Sequence, residues 1–375
     1  MTEMRISPPV TLIIKTSSAC NMACRYCDAD IYSRERMSFE TLSRLTADAL
    51  RRGGPAHFIW HGGEPLLLGR DFYKKAVWLQ QKFRRDGQLI TNTLQTNGTL
   101  LDDEWLDLFN GFEFNLGLSL DGPAELHDKN RVLRGQQGTF DKVMQAVSLM
   151  RSRQQGFGVL AVVTDDAIRL GARAFFEFFV ENDLKTFAIL CQRPAIIAGH
   201  EAYVDRDVHS EFVKEIFDIW FELDDPEVRI RDFESITRAL LGCDHTTCLL
   251  AGGCIGRYVA IDPRGNIYHC DEFMTDEAYR IGHVTDGGLS AALTGREVVA
   301  LREENERELA QIGCKWLPIC NGGCPKDRYV SRRFGNGGRV ECCGYRYLIE
   351  HISERLTDSP TLNRLTAPSV AAFAH

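Results

Sequence analysis

Ser18-Ala19-Cys20-Asn21-Met22-Ala23-Cys24-Arg25-Tyr26-Cys27 carries three cysteines on one short loop, spaced C-x3-C-x2-C. Three thiolates leave a fourth position empty. A four-iron cluster held by three protein ligands keeps one iron open for something else. Zinc is the competing metal, but structural zinc sites close with four ligands, commonly as C-x2-C pairs. The spacing therefore favours an iron–sulfur cluster.

Around this loop, the chain to Leu190 alternates short apolar runs with helical patterns, the mark of βα units around a parallel sheet. Strands are expected at Thr11–Ile14, Ala56–Trp60, Leu89–Gln95, Phe114–Leu120, Gly158–Val163 and Thr186–Leu190. Helices are expected after Ser38, from Asp71, and over Asp102–Phe109, Thr139–Arg151 and Ala167–Val180. Six such repeats suit an α/β fold built as a partial barrel, in which ligands bind at the carboxyl ends of the strands.

The informative residues lie at those ends. After Trp60 comes His61-Gly62-Gly63-Glu64-Pro65. Two glycines let backbone approach a ligand closely, and the carboxylate beside them can accept from an ammonium group. After Leu94 comes Gln95-Thr96-Asn97-Gly98, and after Leu118 comes Ser119-Leu120-Asp121-Gly122-Pro123, followed by Arg131. Ser119 and Asp121 are polar at a strand end, although Asp-Gly-Pro also makes a turn by itself. Arg131 can clamp a carboxylate bidentately. His57 and His61 flank a strand and receive no role. Cys191 stands alone and reads as a small buried apolar residue.

The chain has 375 residues and a net charge of −8, with 44% hydrophobic and 26% charged residues. That is ordinary for a globular protein of about two domains. It argues against a nucleic-acid binder, which would carry a basic field. No apolar run is long enough to span a membrane, and Met1–Lys15 lacks the parts of a signal peptide. A cytoplasmic location is expected, so the 13 cysteines should not be read as a disulfide framework.

Composition changes at Cys243: nine cysteines fall between there and Cys343, among many glycines and few apolar runs. A segment with so little core needs staples, here metal. The order is Cys248-x5-Cys254, Cys270, Cys314-x5-Cys320-x3-Cys324, then Cys342-Cys343.

The cysteine loop with Gly62-Gly63-Glu64-Pro65 resembles radical S-adenosylmethionine enzymes, and the C-terminal pattern resembles the SPASM domain of their peptide-modifying members. The resemblance implies a partial (βα)6 TIM-like barrel at 1–200, a helical bridge at 201–242, a SPASM iron–sulfur domain at 243–350 and a tail at 351–375. It implies a 4Fe–4S cluster on Cys20, Cys24 and Cys27, whose open iron binds S-adenosylmethionine and splits it to a 5′-deoxyadenosyl radical. Tyr26 would pack near the adenine, Gly62, Gly63 and Glu64 would bind the methionine amino group, and Ser119, Asp121 and Arg131 would contact the rest of the cosubstrate. Two auxiliary clusters follow: one on Cys248, Cys254, Cys270 and Cys324, the other on Cys314, Cys320 and Cys342. Gln311 stands where the second usually has a further cysteine, so either Cys243 or Cys343 substitutes or one iron is open to water or substrate. One or two zinc sites remain the rival for this region.

Asp271, directly after Cys270, resembles the general base of anaerobic sulfatase-maturating enzymes, as does the segment around Cys324. Two chemistries compete: cross-linking of a ribosomally made peptide, and oxidation of Cys or Ser to formylglycine in a sulfatase. The departure at Gln311 tips the expectation to cross-linking. Expected partners are a peptide or protein substrate and an external electron donor of flavodoxin or ferredoxin type, with no nucleic acid and no membrane. A non-catalytic iron–sulfur carrier or zinc scaffold would explain the cysteines but not Gly62-Gly63-Glu64.

Overall fold

The computed structural model describes residues 9–194, 202–274, 276–334 and 344–357. β1 (Val10–Lys15) buries Val10, Leu12 and Ile14 on one face. Its apolar alternation ends at Lys15, where the cysteine loop begins. α1 (Phe39–Arg51) starts at Ser38, whose side chain accepts from the Thr41 amide, and buries Leu42, Leu45, Ala49 and Leu50. The alternation continues through β2 (Ala56–His61), α2 (Arg70–Phe83), β3 (Ile90–Thr96), α3 (Asp103–Gly111) and β4 (Phe114–Ser119). α4 (Ala124–Asn130) and α5 (Phe140–Ser152) lead to β5 (Phe157–Val163). α6 (Asp165–Leu170) and α7 (Ala172–Glu181) lead to β6 (Thr186–Cys191).

Each of these strands pairs in parallel with the next. The expected α/β partial barrel is what the chain builds, with all six strands ending at one rim. Aromatic side chains cement helices to sheet. Trp60 and Tyr73 meet edge-on with centroids 5.7 Å apart, and Tyr73 reaches Trp105, Phe109 and Phe114 in the same way.

The chain then runs through α8 (Arg206–Leu223), β7 (Arg229–Ile230), α9 (Arg231–Leu240) and α10 (Cys248–Ala251). β8 (Tyr258–Ile261), β9 (Asn266–Tyr268) and β10 (Arg280–His283) follow. α11 (Gly288–Thr294), α12 (Arg296–Leu309), α13 (Leu317–Cys320), α14 (Pro325–Phe334) and α15 (Arg346–Thr357) complete the described chain.

Besides adding α4 and β7, the structure departs from expectation in two places. The helix expected over Ala167–Val180 is broken at Gly171, whose φ of 93° no helix accommodates. The cysteine-rich region, in which no strands are expected from the sequence, adds three strands to the barrel's own sheet, in the order β10-β9-β8-β1-β2-β3-β4-β5-β6-β7. β8 lies parallel to β1, with Leu12 opposite Val259 and Ile14 opposite Ile261, while β9 and β10 turn back antiparallel. This seam sets the region around Cys270 beside β1, whose last residue, Lys15, reaches Asp271 with its side chain. Among the described residues, no helix is long and apolar enough to cross a membrane.

Candidate functional site

The loop after β1 folds back on itself and on the strands beside it. Cys20, Met22 and Ile31 form a small buried apolar cluster, joined by Cys24, Cys27, Ala29 and Leu133. None of the three thiols is in a disulfide. Burial pushes the Cys20 thiol up to about 11 and Cys24 up to about 12, with the neighbouring Cys27 contributing to both. Three soft sulfurs so desolvated become thiolates only against a bound cation, and that donor set suits iron–sulfur chemistry. Among the described residues, no three His, Cys, Asp or Glu side chains converge closely enough to hold a single metal ion. A cluster, with one thiolate per iron, fits this spacing better than mononuclear zinc.

The turn after β2 is welded to that loop. The Glu64 amide donates to the Ala19 carbonyl at 2.9 Å. Gly63 has φ 55°, and a Cβ there would lie 2.2 Å from the Ala19 oxygen, so only glycine fits. Glu64 is 1% exposed. Its carboxylate accepts from the Leu66 amide, the Thr96 hydroxyl and the Asn97 amide at 3.1, 2.8 and 2.8 Å. Burial nonetheless pushes it up to about 7. One of its oxygens carries only the Asn97 amide, which leaves it free to accept a further donor. Asn97 also donates to Asn21 at 2.9 Å, tying β3 to the cysteine loop.

On the far side, Tyr26 donates to Asp121 through its hydroxyl. Arg131 Nε lies 3.0 Å from the same Asp121 oxygen, and its guanidinium sits 5.4 Å over the Tyr26 ring. The other Asp121 oxygen accepts from the Val162 amide at 3.0 Å. Tyr26, Asp121 and Arg131 thus form one buried unit whose polar groups face each other. Ser119, at the end of β4, accepts from Gln95 at 3.0 Å.

Asp271 is brought from far along the sequence to the end of β1. Its Oδ2 lies 3.3 Å from Lys15 Nζ, and Lys15 Nζ donates to His61 Nδ1 at 2.9 Å. The Gly62 amide donates to the same His61 nitrogen at 2.7 Å, which leaves Nε2 as the imidazole's protonated atom. Burial would raise the Asp271 carboxyl, but the Lys15 charge overrides it and holds the group below the usual carboxylate range. Sequence reasoning missed Lys15 and gave His61 no role. The available signal was a lysine ending an otherwise apolar strand just before the cysteine loop.

Four of the auxiliary-site cysteines lie within electrostatic reach of another of the set: Cys254 raises the Cys248 thiol, Cys248 that of Cys324 and Cys324 that of Cys270, while burial pushes Cys248 up to about 11 and Cys324 up to about 12. They come from the start of α10, the loop before β8, the end of β9 and the start of α14. Cys314 and Cys320 flank the turn that holds α13, and Cys320 is buried. Cys342 lies outside the described residues.

The Radical SAM superfamily profile matches residues 14–165. A cysteine-type anaerobic sulfatase-maturating enzyme of Clostridium perfringens is 30% identical over 93% of this chain and 98% of its own length. A serine-type anaerobic sulfatase-maturating enzyme of Bacteroides thetaiotaomicron is 31% identical over 92% of this chain and 90% of its own length. Among solved structures, native anSMEcpe with bound AdoMet and Cp18Cys peptide superposes with a TM-score of 0.80 at 30% identity, covering 93% of this chain and 98% of that one. These findings overturn the expectation of a peptide cross-linking maturase. The single departure at Gln311 does not outweigh the Cys270-Asp271 and Cys324 segments, which resemble this group.

Proposed function

The chain belongs to the family of anaerobic sulfatase-maturating enzymes, and from that premise we propose that it oxidises a cysteine or serine of a sulfatase peptide to formylglycine. It is a radical S-adenosylmethionine enzyme acting on a peptide, and its cofactors are a 4Fe–4S cluster with S-adenosylmethionine and auxiliary iron–sulfur clusters. When bound, these groups supply an acceptor for one hydrogen atom and an acceptor for one electron. The substrate side chain gives up a hydrogen atom from its β-carbon, a proton from its thiol or hydroxyl, and that electron. Serine then becomes the aldehyde directly. Cysteine becomes a thioaldehyde, which water converts to the aldehyde with release of hydrogen sulfide.

Asp271 is assigned the proton. The observation that carries this reading is its ion pair with Lys15, 3.3 Å long, which ties the carboxylate next to Cys270 to the rim at the end of β1. Lys15 keeps Asp271 ionised and ready to accept, and the same ammonium holds His61 through its Nδ1. Cys20, Cys24 and Cys27 would hold the first cluster, and Glu64 would receive the methionine ammonium. Gly62 and Gly63 keep that turn against the cysteine loop, and Ser119 would contact the cosubstrate carboxylate or ribose. Asp121 and Arg131 act through Tyr26, orienting the ring beside the third cysteine. Cys248, Cys254, Cys270 and Cys324 would hold one auxiliary cluster; Cys314, Cys320 and Cys342 are assigned to the second. An external donor of flavodoxin or ferredoxin type would supply the starting electron.

The test is anaerobic incubation of the iron-loaded, reduced protein with S-adenosylmethionine and sulfatase-derived peptides carrying cysteine or serine at the target position. The expected result is 5′-deoxyadenosine together with an aldehyde that a hydrazide reagent captures. An Asp271→Asn variant should still release 5′-deoxyadenosine while aldehyde falls by about 100-fold or more, the scale of a lost general base. A cross-linked peptide, or no aldehyde from either substrate, would overturn the proposal.

A further inference from the structure

Just beyond β6 the chain reaches Arg193, whose guanidinium bridges two carboxylates that each follow an auxiliary-site cysteine. Its Nη1 lies 2.7 Å from Glu272 Oε1. Its Nε and Nη2 donate to Asp327 Oδ1 at 3.0 and 2.8 Å. Glu272 stands two residues after Cys270, and Asp327 three residues after Cys324. Arg206, at the start of α8, donates to the same Asp327 oxygen. The Asp327 side chain is 3% exposed and that of Arg193 is 19% exposed, so water screens this pair poorly, and it screens the Glu272 end, 38% exposed, more. The guanidinium also lies within electrostatic reach of Cys324 and Cys248.

We propose that Arg193 raises the reduction potential of the auxiliary cluster that Cys248, Cys254, Cys270 and Cys324 would hold, fitting it to take an electron from the barrel rim. The inference rests on that ligand assignment. Reduction adds one negative charge to the cluster, and a fixed cation in a poorly screened site favours the reduced form. In the step itself, the substrate-derived radical is oxidised by one electron and the cluster is reduced by one.

The sign follows from the local charges. Arg193 and Arg206 face Asp327 and Glu272, while Lys326, on the Glu272 carbonyl, and Asp271, against Cys270, add one charge of each sign. Replacing Arg193 with a neutral residue leaves one excess carboxylate beside the thiolates, and the cluster becomes harder to reduce. Replacing Glu272 with glutamine leaves one excess guanidinium, and it becomes easier. A purely structural clamp would not give shifts of opposite sign from its two ends.

The experiment is an EPR-monitored redox titration of the reconstituted full chain, following the auxiliary signal that a Cys270→Ala variant loses. Arg193→Gln is expected to move its midpoint to more negative potential with iron and sulfide content unchanged. Arg193→Lys should restore the midpoint most of the way, and Glu272→Gln should move it to more positive potential. An unmoved midpoint in a fully loaded Arg193→Gln protein overturns the proposal while the ligand assignment stands. If Arg193→Gln fails to load iron, Glu272→Gln decides: a positive shift supports the proposal and no shift overturns it. A Cys270→Ala protein that loses no signal overturns the ligand assignment and the proposal with it.

Discussion

Single atoms decide whether the cosubstrate turn can form. A methyl group at Gly63 would meet the Ala19 carbonyl oxygen at 2.2 Å, and backbone cannot yield as a flexible side chain can. Gly63→Ala should therefore fold but lose S-adenosylmethionine binding, measured by equilibrium dialysis, with reduced iron on the first loop. Glu64→Gln is nearly the same size, yet it turns an acceptor of three donors into a group that must donate as well. The leftover buried donor should cost about 1–3 kcal/mol of stability, read as a lower unfolding midpoint in denaturant. These residues were legible because glycine pairs and cysteine spacing are local patterns. Lys15 and Arg193 were not, since their partners Asp271 and Asp327 lie 256 and 134 residues away and only the fold joins them.

Among the elements, the split of α6 from α7 shows what periodicity conceals. The apolar positions from Ala167 to Val180 keep helical spacing across the break, so the pattern reads as one helix. Gly171 instead takes a φ of 93° and ψ of 148°, a conformation that residues with a Cβ rarely adopt. There is open space around it. Gly171→Ala should thus cost about 1–3 kcal/mol through backbone strain alone, lowering the thermal midpoint while leaving aldehyde formation unchanged. The strands of the C-terminal region escaped notice for another reason. β8 and β9 span four and three residues, too few for alternation to show, and their place was set by the open edge of β1.

At the scale of the whole molecule, stability should depend on pH through imidazoles buried in their neutral form. Burial pushes His57 and His127 down to about 4 and His209 to about 3. Nothing charged opposes burial at His57. At His127, Asp121 and Asp128 oppose it and Arg131 assists; at His209, Arg206 and Arg193 assist while Asp327 opposes. The unfolded chain protonates these rings near pH 6.5, whereas the folded chain resists until well below that. Glu64, raised to about 7, acts with the opposite sign, but three rings outweigh one carboxyl, so stability should fall as pH drops from about 6.5 toward 4, seen as a declining thermal midpoint. Removing iron with a chelator should act regionally, loosening hydrogen-exchange protection around Cys248, Cys254, Cys270 and Cys324 before the strands β2 to β5. The pairing of β8 with β1 also bears on how the protein is made. As the polypeptide leaves the ribosome, the first strand's outer flank must wait for a segment translated some 250 residues later. Until then it is a bare template for other nascent chains, so a message truncated before β8 should yield aggregates rather than a free-standing barrel.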